Sequence, residues 1–231
     1  MLTKKKYQII SLGGSLLFNS EGIDVGFLRR FRQWLKKEIA TGQKFVIVVG
    51  GGRICRQYYS AARQLTKVKN EEIEWMGIRA LLLNAHLVQL VLRDWADPTI
   101  VQDPRKKLKT RKPVIIASGW KPGFSTDYDA VQQAITYQAD LVVNLSNIEY
   151  VYTADPRTNP QAKKIVHISW SEFRREIVGN EWTPGLNLPF DPVASRLAQK
   201  KKIKVAIISG KNLSQISRAL TGKKFKGTLI V

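Results

Sequence analysis

Cysteine is almost absent: Cys55 is the single one in 231 residues. That excludes an internal disulfide framework and any cysteine cluster for zinc. Only two histidines occur, His86 and His167, which argues against a histidine-rich metal site. Acids are scarce beside bases, 18 Asp and Glu against 38 Lys and Arg, so the net charge is +20. Long apolar runs are missing too, since none approaches the roughly 18 residues that a membrane span requires. Lys4, Lys5 and Lys6 precede an apolar stretch as a secretory leader would. Gly13, Gly14 and Ser15 interrupt that stretch early, and no small-residue cleavage site follows. A reducing, cytoplasmic setting is therefore expected.

What is present is a core-forming composition. Apolar residues make up 44% of the chain, which argues against wholesale disorder. The length suits one large domain or two small ones. The positive residues are dispersed over 4–6, 29–37, 105–112, 200–204 and 223–226. Such dispersal reads first as a solvated lysine-rich face. Polyanion binding and action on phosphorylated substrates stand as the two functional alternatives.

Short β-branched runs alternate with longer amphipathic ones. Strands are expected at 7–12, 44–49, 113–117, 141–145, 204–208 and 228–231. Helices are expected at 27–39, where Phe27, Phe31, Leu35 and Ile39 fall on one face, and at 53–65. Further helical segments are 71–95, 127–138, 192–199 and 213–220. Residues 169–172 match a capping box ahead of a helix at 173–178, and 179–190 reads as a loop. This alternation predicts an α/β fold with a mostly parallel sheet covered on both faces. Ligands in such sheets sit at the carboxyl ends of the strands, here the turns at Gly13, Gly50, Ser118 and Ser146.

Two of those turns are glycine-rich. Gly13, Gly14 and Ser15 follow the first strand, and Gly50, Gly51 and Gly52 follow the second. Glycine allows backbone N–H groups close to a phosphate, although a tight turn alone explains one such motif. Neither matches a Walker loop or a dinucleotide fingerprint. Arg53 and Arg56, three apart at a helix start, are expected to project to one side and can fork onto phosphate oxygens. The richest stretch runs from Ser118 to Asp127. Asp127 suits either an N-terminal cap or an acid that organises a lysine or a magnesium-bound phosphate. Trp120 and Phe124 can stack on a base or pack the loop.

At these residues the chain resembles the archaeal-type uridylate kinases of the amino acid kinase superfamily. The likeness is carried by G-G-S at 13–15, V-V-G-G-G-R at 48–53 and K-P-G-F-S-T-D at 121–127. It continues through S-N-I-E-Y-V-Y-T-A-D-P-R at 146–157, N-P-Q-A-K-K-I at 159–165, E-I-V-G at 176–179 and D-P-V-A at 191–194. The resemblance implies an open αβα sandwich forming one amino acid kinase domain. Residues 1–139 would be its UMP lobe and 140–231 its ATP lobe.

The resemblance also implies roles. Gly14 and Ser15 would hold ATP phosphates, with Gly52 and Arg56 at the phosphates between the two nucleotides. Ser146, Asn147, Tyr152 and Asp155 would line the ATP site, with Tyr152 near the adenine; taken alone, Tyr152 reads as a core aromatic. Gly51 would contact UMP, and Glu74 would take the ribose in place of the family's usual Asp. Trp120, Lys121, Pro122, Gly123, Phe124, Ser125 and Thr126 would form the loop around the UMP base and phosphate. Asp127 would organise the site, and magnesium would arrive with ATP rather than in a protein metal site. Ser11 stands where many superfamily members carry a Lys. Arg56, Lys163 or Lys164 would then meet the transition-state charge, with Lys163 as the catalytic cation. Glu149 and Tyr150 replace a common Asp-Gly pair.

The expected partners are ATP and UMP, with no membrane, no specific nucleic acid, and a homo-oligomer, hexameric by resemblance. The alternatives are a kinase for isopentenyl phosphate, aspartate or glutamate, and a non-catalytic polyanion binder. No histidine follows the second glycine turn, which counts against isopentenyl phosphate.

Overall fold

The computed structural model describes residues 6–179 and 188–231. Its first part runs β1 (Tyr7–Leu12), α1 (Val25–Ala40), β2 (Lys44–Val49), α2 (Gly52–Leu65) and α3 (Asn70–Val91). There follow β3 (Ala96–Val101), β4 (Val114–Ala117), α4 (Thr126–Tyr137) and β5 (Leu141–Ser146). The remainder holds β6 (Val151–Tyr152), β7 (Lys164–Ile165), β8 (His167–Ile168) and α5 (Trp170–Phe173). It closes with α6 (Pro192–Lys201), β9 (Lys204–Ser209), α7 (Ser214–Leu220) and β10 (Thr228–Ile230).

Eight strands make one sheet in the order β3-β4-β2-β1-β5-β9-β10-β8. Neighbours run parallel except β10 against β9. The strands are apolar on both sides because both faces are covered. Along β1, Ile9 belongs to the cluster that packs Ala130, Val131, Phe173 and Ala198 from α4, α5 and α6. Ile10 belongs to the opposite cluster, with Phe31 and Leu35 of α1, Val88 of α3 and Ile216 of α7. Phe31, Phe45 and Phe173 are fully buried, each contributing about 1.5–3 kcal/mol relative to exposure. The result is the expected αβα sandwich.

The helix starts are chemically marked. Asp24 accepts from the Phe27 amide at 2.7 Å to open α1, and Asp191 accepts from the Ala194 amide at 2.6 Å to open α6. Gln138 and Lys202 end α4 and α6 in left-handed conformation.

Three expectations change. The helical segment read over 71–95 stops at Val91, and a strand, β3, follows it. Asp97 and Pro98 disguise that strand, which lies at the sheet edge where a missing N–H is tolerated. The capping box at Ser169 and Glu172 forms, but it opens the short α5. Residues Arg174–Val178 widen into a π-helical turn instead of beginning a new helix. Most of the loop expected at 179–190 lies outside the described residues.

Candidate active site

The two glycine turns meet each other. A Cβ added to Gly14 would stand 2.2 Å from the Gly52 nitrogen and 2.6 Å from the Gly50 carbonyl oxygen. Gly52 itself has φ +62° and abuts the Gly14 backbone. Strand ends hold the junction: the Gly13 amide donates to Leu145 O and the Gly50 amide to Leu12 O, both at 2.9 Å. The close approach expected of these glycines is thus made to one another. Ser15 sits in the 3-10 turn Gly14–Leu16 that follows.

Beside this junction a cavity of about 250 Å³ opens between α2, α3 and the head of α4. Gly51, Gly52, Arg56 and Glu74 form one side of its lining. Lys121, Phe124, Ser125, Thr126 and Asp127 form the other. Arg53 donates from its guanidinium to Asn19 O at 3.2 Å and is not among the residues that line the cavity, whereas Arg56 is. The difference arises because the loop after β1 offers Arg53 a carbonyl. Glu74 accepts from the Gly123 amide and so ties α3 to the loop at 120–125. Trp120 packs that loop. Its ring centre is 5.0 Å from Phe124, and Arg105 and Lys121 place cations 4.4 Å from it. Trp120, Pro122 and Gly123 shape the loop without being part of the cavity lining.

Asp127 is not the cap of α4. Ser125 is, accepting from the Tyr128 amide at 3.2 Å. Asp127 is left free to gather partners from three elements. Its Oδ1 accepts from Asn144 Nδ2 of β5 at 3.2 Å and from Ser11 Oγ of β1 at 3.4 Å. Its Oδ2 accepts from the Asp191 amide at 3.1 Å. Burial first, and the neighbouring Asp191 second, push its carboxyl up to about 7. Ser11 thus supplies a hydrogen bond but no charge.

A second cavity, of about 520 Å³, lies beyond the end of β5. Ser146, Asn147, Tyr152 and Asp155 line it, with Ile177 and Leu188 as apolar walls. Tyr152 is half-buried there rather than a core residue. Asp155 is held by Arg157, whose guanidinium donates at 2.7 Å and keeps that carboxyl down near 2. Lys163 is exposed and does not line either cavity, though its amide donates to Thr153 Oγ1 at 3.0 Å, on the rim of the second. Lys164 lies 5.3 Å from the Tyr150 ring.

Four residues at the site escape sequence reasoning. Asn84, buried on α3, donates to Gly50 O at 3.1 Å and Gly51 O at 3.2 Å, clamping the second glycine turn. Asn144 and Asp191 hold Asp127. Asp129, buried two residues on, accepts from the Trp120 amide at 3.2 Å, and burial raises its carboxyl well above the ordinary range. A polar residue inside an apolar strand such as Asn144 was the one readable signal among them.

Known proteins resemble this chain in sequence and in fold. Residues 6–209 match the Amino acid kinase family. The chain is 35% identical to a uridylate kinase of Thermococcus sibiricus over 96% of its length and 98% of that protein. It is 32% identical to a uridylate kinase of Thermofilum pendens, with 96% of each covered. Among solved structures, the uridylate kinase of Archaeoglobus fulgidus superposes with a TM-score of 0.79 at 28% identity, covering 97% of this chain and 100% of that one. A UMP kinase from Bacillus anthracis shares the fold, with a TM-score of 0.77 at 20% identity over 99% and 96% of the two chains. The chain belongs to the amino acid kinase family, on the branch that holds the uridylate kinases.

Proposed function

We propose that this chain transfers the γ-phosphoryl group of ATP to UMP, giving ADP and UDP, a step of pyrimidine nucleotide synthesis. The observation that carries this reading is the position of Asp127. It lines the first cavity and is bonded to Asn144, two residues before the Ser146 that lines the second. In the proposal UMP occupies the first cavity and ATP the second.

Phosphoryl transfer needs positioning and charge neutralisation more than covalent chemistry. The UMP phosphate is ionised near neutral pH, so no general base is needed. Arg56 and Lys121 are the cations lining the first cavity and would hold that phosphate. Glu74 would accept from the ribose, and Gly51, Phe124, Ser125 and Thr126 would close around the nucleotide. Trp120, Pro122 and Gly123 would set the loop's shape. Gly14, Ser15 and Gly52 would offer amides to the ATP phosphates. Ser146, Asn147, Tyr152 and Asp155 would receive the rest of ATP. Lys163, from the second rim, is the cation assigned to the developing charge.

Magnesium fits as a companion of ATP. Asp127, which lines the first cavity, offers the hard oxygen such an ion takes. When bound, magnesium offsets phosphate charge; Asp127 would orient the complex.

The lobes 1–139 and 140–231 would meet at this seam within one sheet. No helix among the described residues is long and apolar enough to cross a membrane, and a cytoplasmic location is part of the proposal. Trp75, Leu83 and Leu90 are 43%, 69% and 64% exposed on one side of α3. That row supports a homo-oligomer, hexameric in this reading, which sedimentation would test.

The deciding assay offers MgATP with UMP, CMP, isopentenyl phosphate, aspartate or glutamate. UDP formation is expected to exceed every other product. Absence of UDP would overturn the reading, and turnover of another acceptor would name the alternative.

A further inference from the structure

A third cavity, of about 600 Å³, lies at the other end of the sheet. It opens at the amino ends of β1, β5 and β9, beside Tyr7, Leu141 and Lys204. The six residues of β1 separate Tyr7 from the glycine turns, which is about 20 Å at the rise of a strand. The cavity is therefore separate from both nucleotide cavities of the proposed function.

Its walls have two characters. Leu141, Leu220, Phe225 and Leu229 are half-buried apolar residues packed on the core. Lys6, Lys204, Lys223 and Lys224 ring them, and among the described residues Asp140 is the one acid in the lining. Asp140 is already paired with Lys6 at 3.6 Å. Lys204, Lys223 and Lys224 form no ion pair among the described residues. The loop that brings Lys223 and Lys224 is built, not loose. Arg218 Nε donates to Lys224 O, the Lys226 amide donates to Gln215 Oε1 at 2.9 Å, and Gly222 turns with φ +68°. Phe225, the residue after Lys224, packs on the core and lines the cavity.

We infer that this cavity binds a phosphorylated small molecule with a planar apolar body. The lysines supply the charge that an anion needs, and the leucine and phenylalanine walls supply a surface for a ring. The volume falls within the roughly 300–1,000 Å³ of small-molecule sites. A concave pocket with an apolar floor favours a compact ligand over a nucleic-acid backbone, which is tracked by open basic grooves. The inference stands whatever the acceptor of the kinase reaction. It also gives Lys223 and Lys224, which the kinase motifs leave unused, a common purpose.

The probe is 1-naphthyl phosphate, with inorganic phosphate and 1-naphthol as controls. Lysine acetylation on the full-length protein, mapped by mass spectrometry, reports which amines are shielded. Naphthyl phosphate is expected to protect Lys204, Lys223 and Lys224 at a concentration at least tenfold below that of inorganic phosphate. Naphthol should protect none. The paired substitution Lys223→Glu and Lys224→Glu should weaken naphthyl phosphate binding at least tenfold while UDP formation is unchanged. Lys223→Gln with Lys224→Gln, a milder pair, should do the same, and circular dichroism reports whether each variant is folded. Equal protection by phosphate and naphthyl phosphate would overturn the inference, since no ring is then recognised. So would shielding confined to Lys121 of the first cavity. Stronger shielding by a single-stranded RNA oligomer than by the naphthyl compound would overturn it in favour of a nucleic-acid surface.

Discussion

Asp127 and Asn144 face each other across 3.2 Å, a carboxylate from the head of α4 and an amide from the middle of β5. The amide donates to Oδ1 and so fixes the orientation of the carboxyl group. Asp127→Asn is expected to lower turnover about 100-fold or more, the scale of losing one preorganised electrostatic group. UDP formation and circular dichroism check it together. Near-normal turnover in a folded variant would remove Asp127 from the chemistry.

The same acid predicts a pH effect on stability. Its carboxyl is raised to about 7 in the folded protein, above the ordinary value near 4. The folded state therefore holds the proton more tightly than the unfolded chain does. Its contribution is present below the unfolded value and is lost as pH rises toward 7, at about 1.4 kcal/mol per unit of elevation. Asp127→Asn should remove that loss. Melting temperatures between pH 5 and 8 should fall less steeply in the variant than in the parent, without nucleotides. Parallel slopes would show that Asp127 titrates normally.

Gly14→Ala is expected to destabilise by about 3 kcal/mol or more, because the added methyl meets backbone rather than a movable side chain. Gly123→Ala is the control. It has φ +86° with nothing within 4 Å of its added Cβ, and a left-handed alanine costs about 1–2 kcal/mol. Thermal melting should order the two with Gly14→Ala lower. The reverse order would mean the glycine turns separate easily.

Arg56→Ala and Arg53→Ala should differ. Arg56 lines the first cavity and Arg53 caps a loop carbonyl. Arg56→Ala should raise the KM for UMP about tenfold or more, the scale of a lost charge-assisted bond. Arg53→Ala should move it little. Equal effects would place the two side chains in one role.

Lys163→Ala tests the most distant assignment. A drop in kcat with the KM for UMP unchanged is expected if Lys163 meets the developing charge. Unchanged kinetics would leave Lys163 as a surface lysine.

The strand–helix order was readable because β-branched runs such as 44–49 and helix faces such as Phe27, Phe31 and Leu35 carry their own periodicity. β3 was not, since Asp97 and Pro98 interrupt the pattern that an edge strand can spare. Arg56 was legible from its place after the second glycine turn, and Lys121, Ser146 and Tyr152 from the family resemblance of the motifs that carry them. The partners that hold Asp127 come from β1, β5 and the start of α6, and no local pattern joins such distant segments. Gly14 and Gly52 were legible as glycines but not as each other's neighbour, for the same reason.

The central place of β1 in the sheet bears on how the protein is made. β1 pairs with β2 on one side and with β5 on the other, and β5 lies far along the chain. A ribosome that has released only the first half of the chain has produced β3, β4, β2 and β1 with the β5 flank of β1 unpaired. Ile9 and Ile10 then border an open backbone edge, the kind that invites pairing with another chain. Nascent chains truncated before residue 141 should therefore depend on chaperones far more than those extended past residue 146.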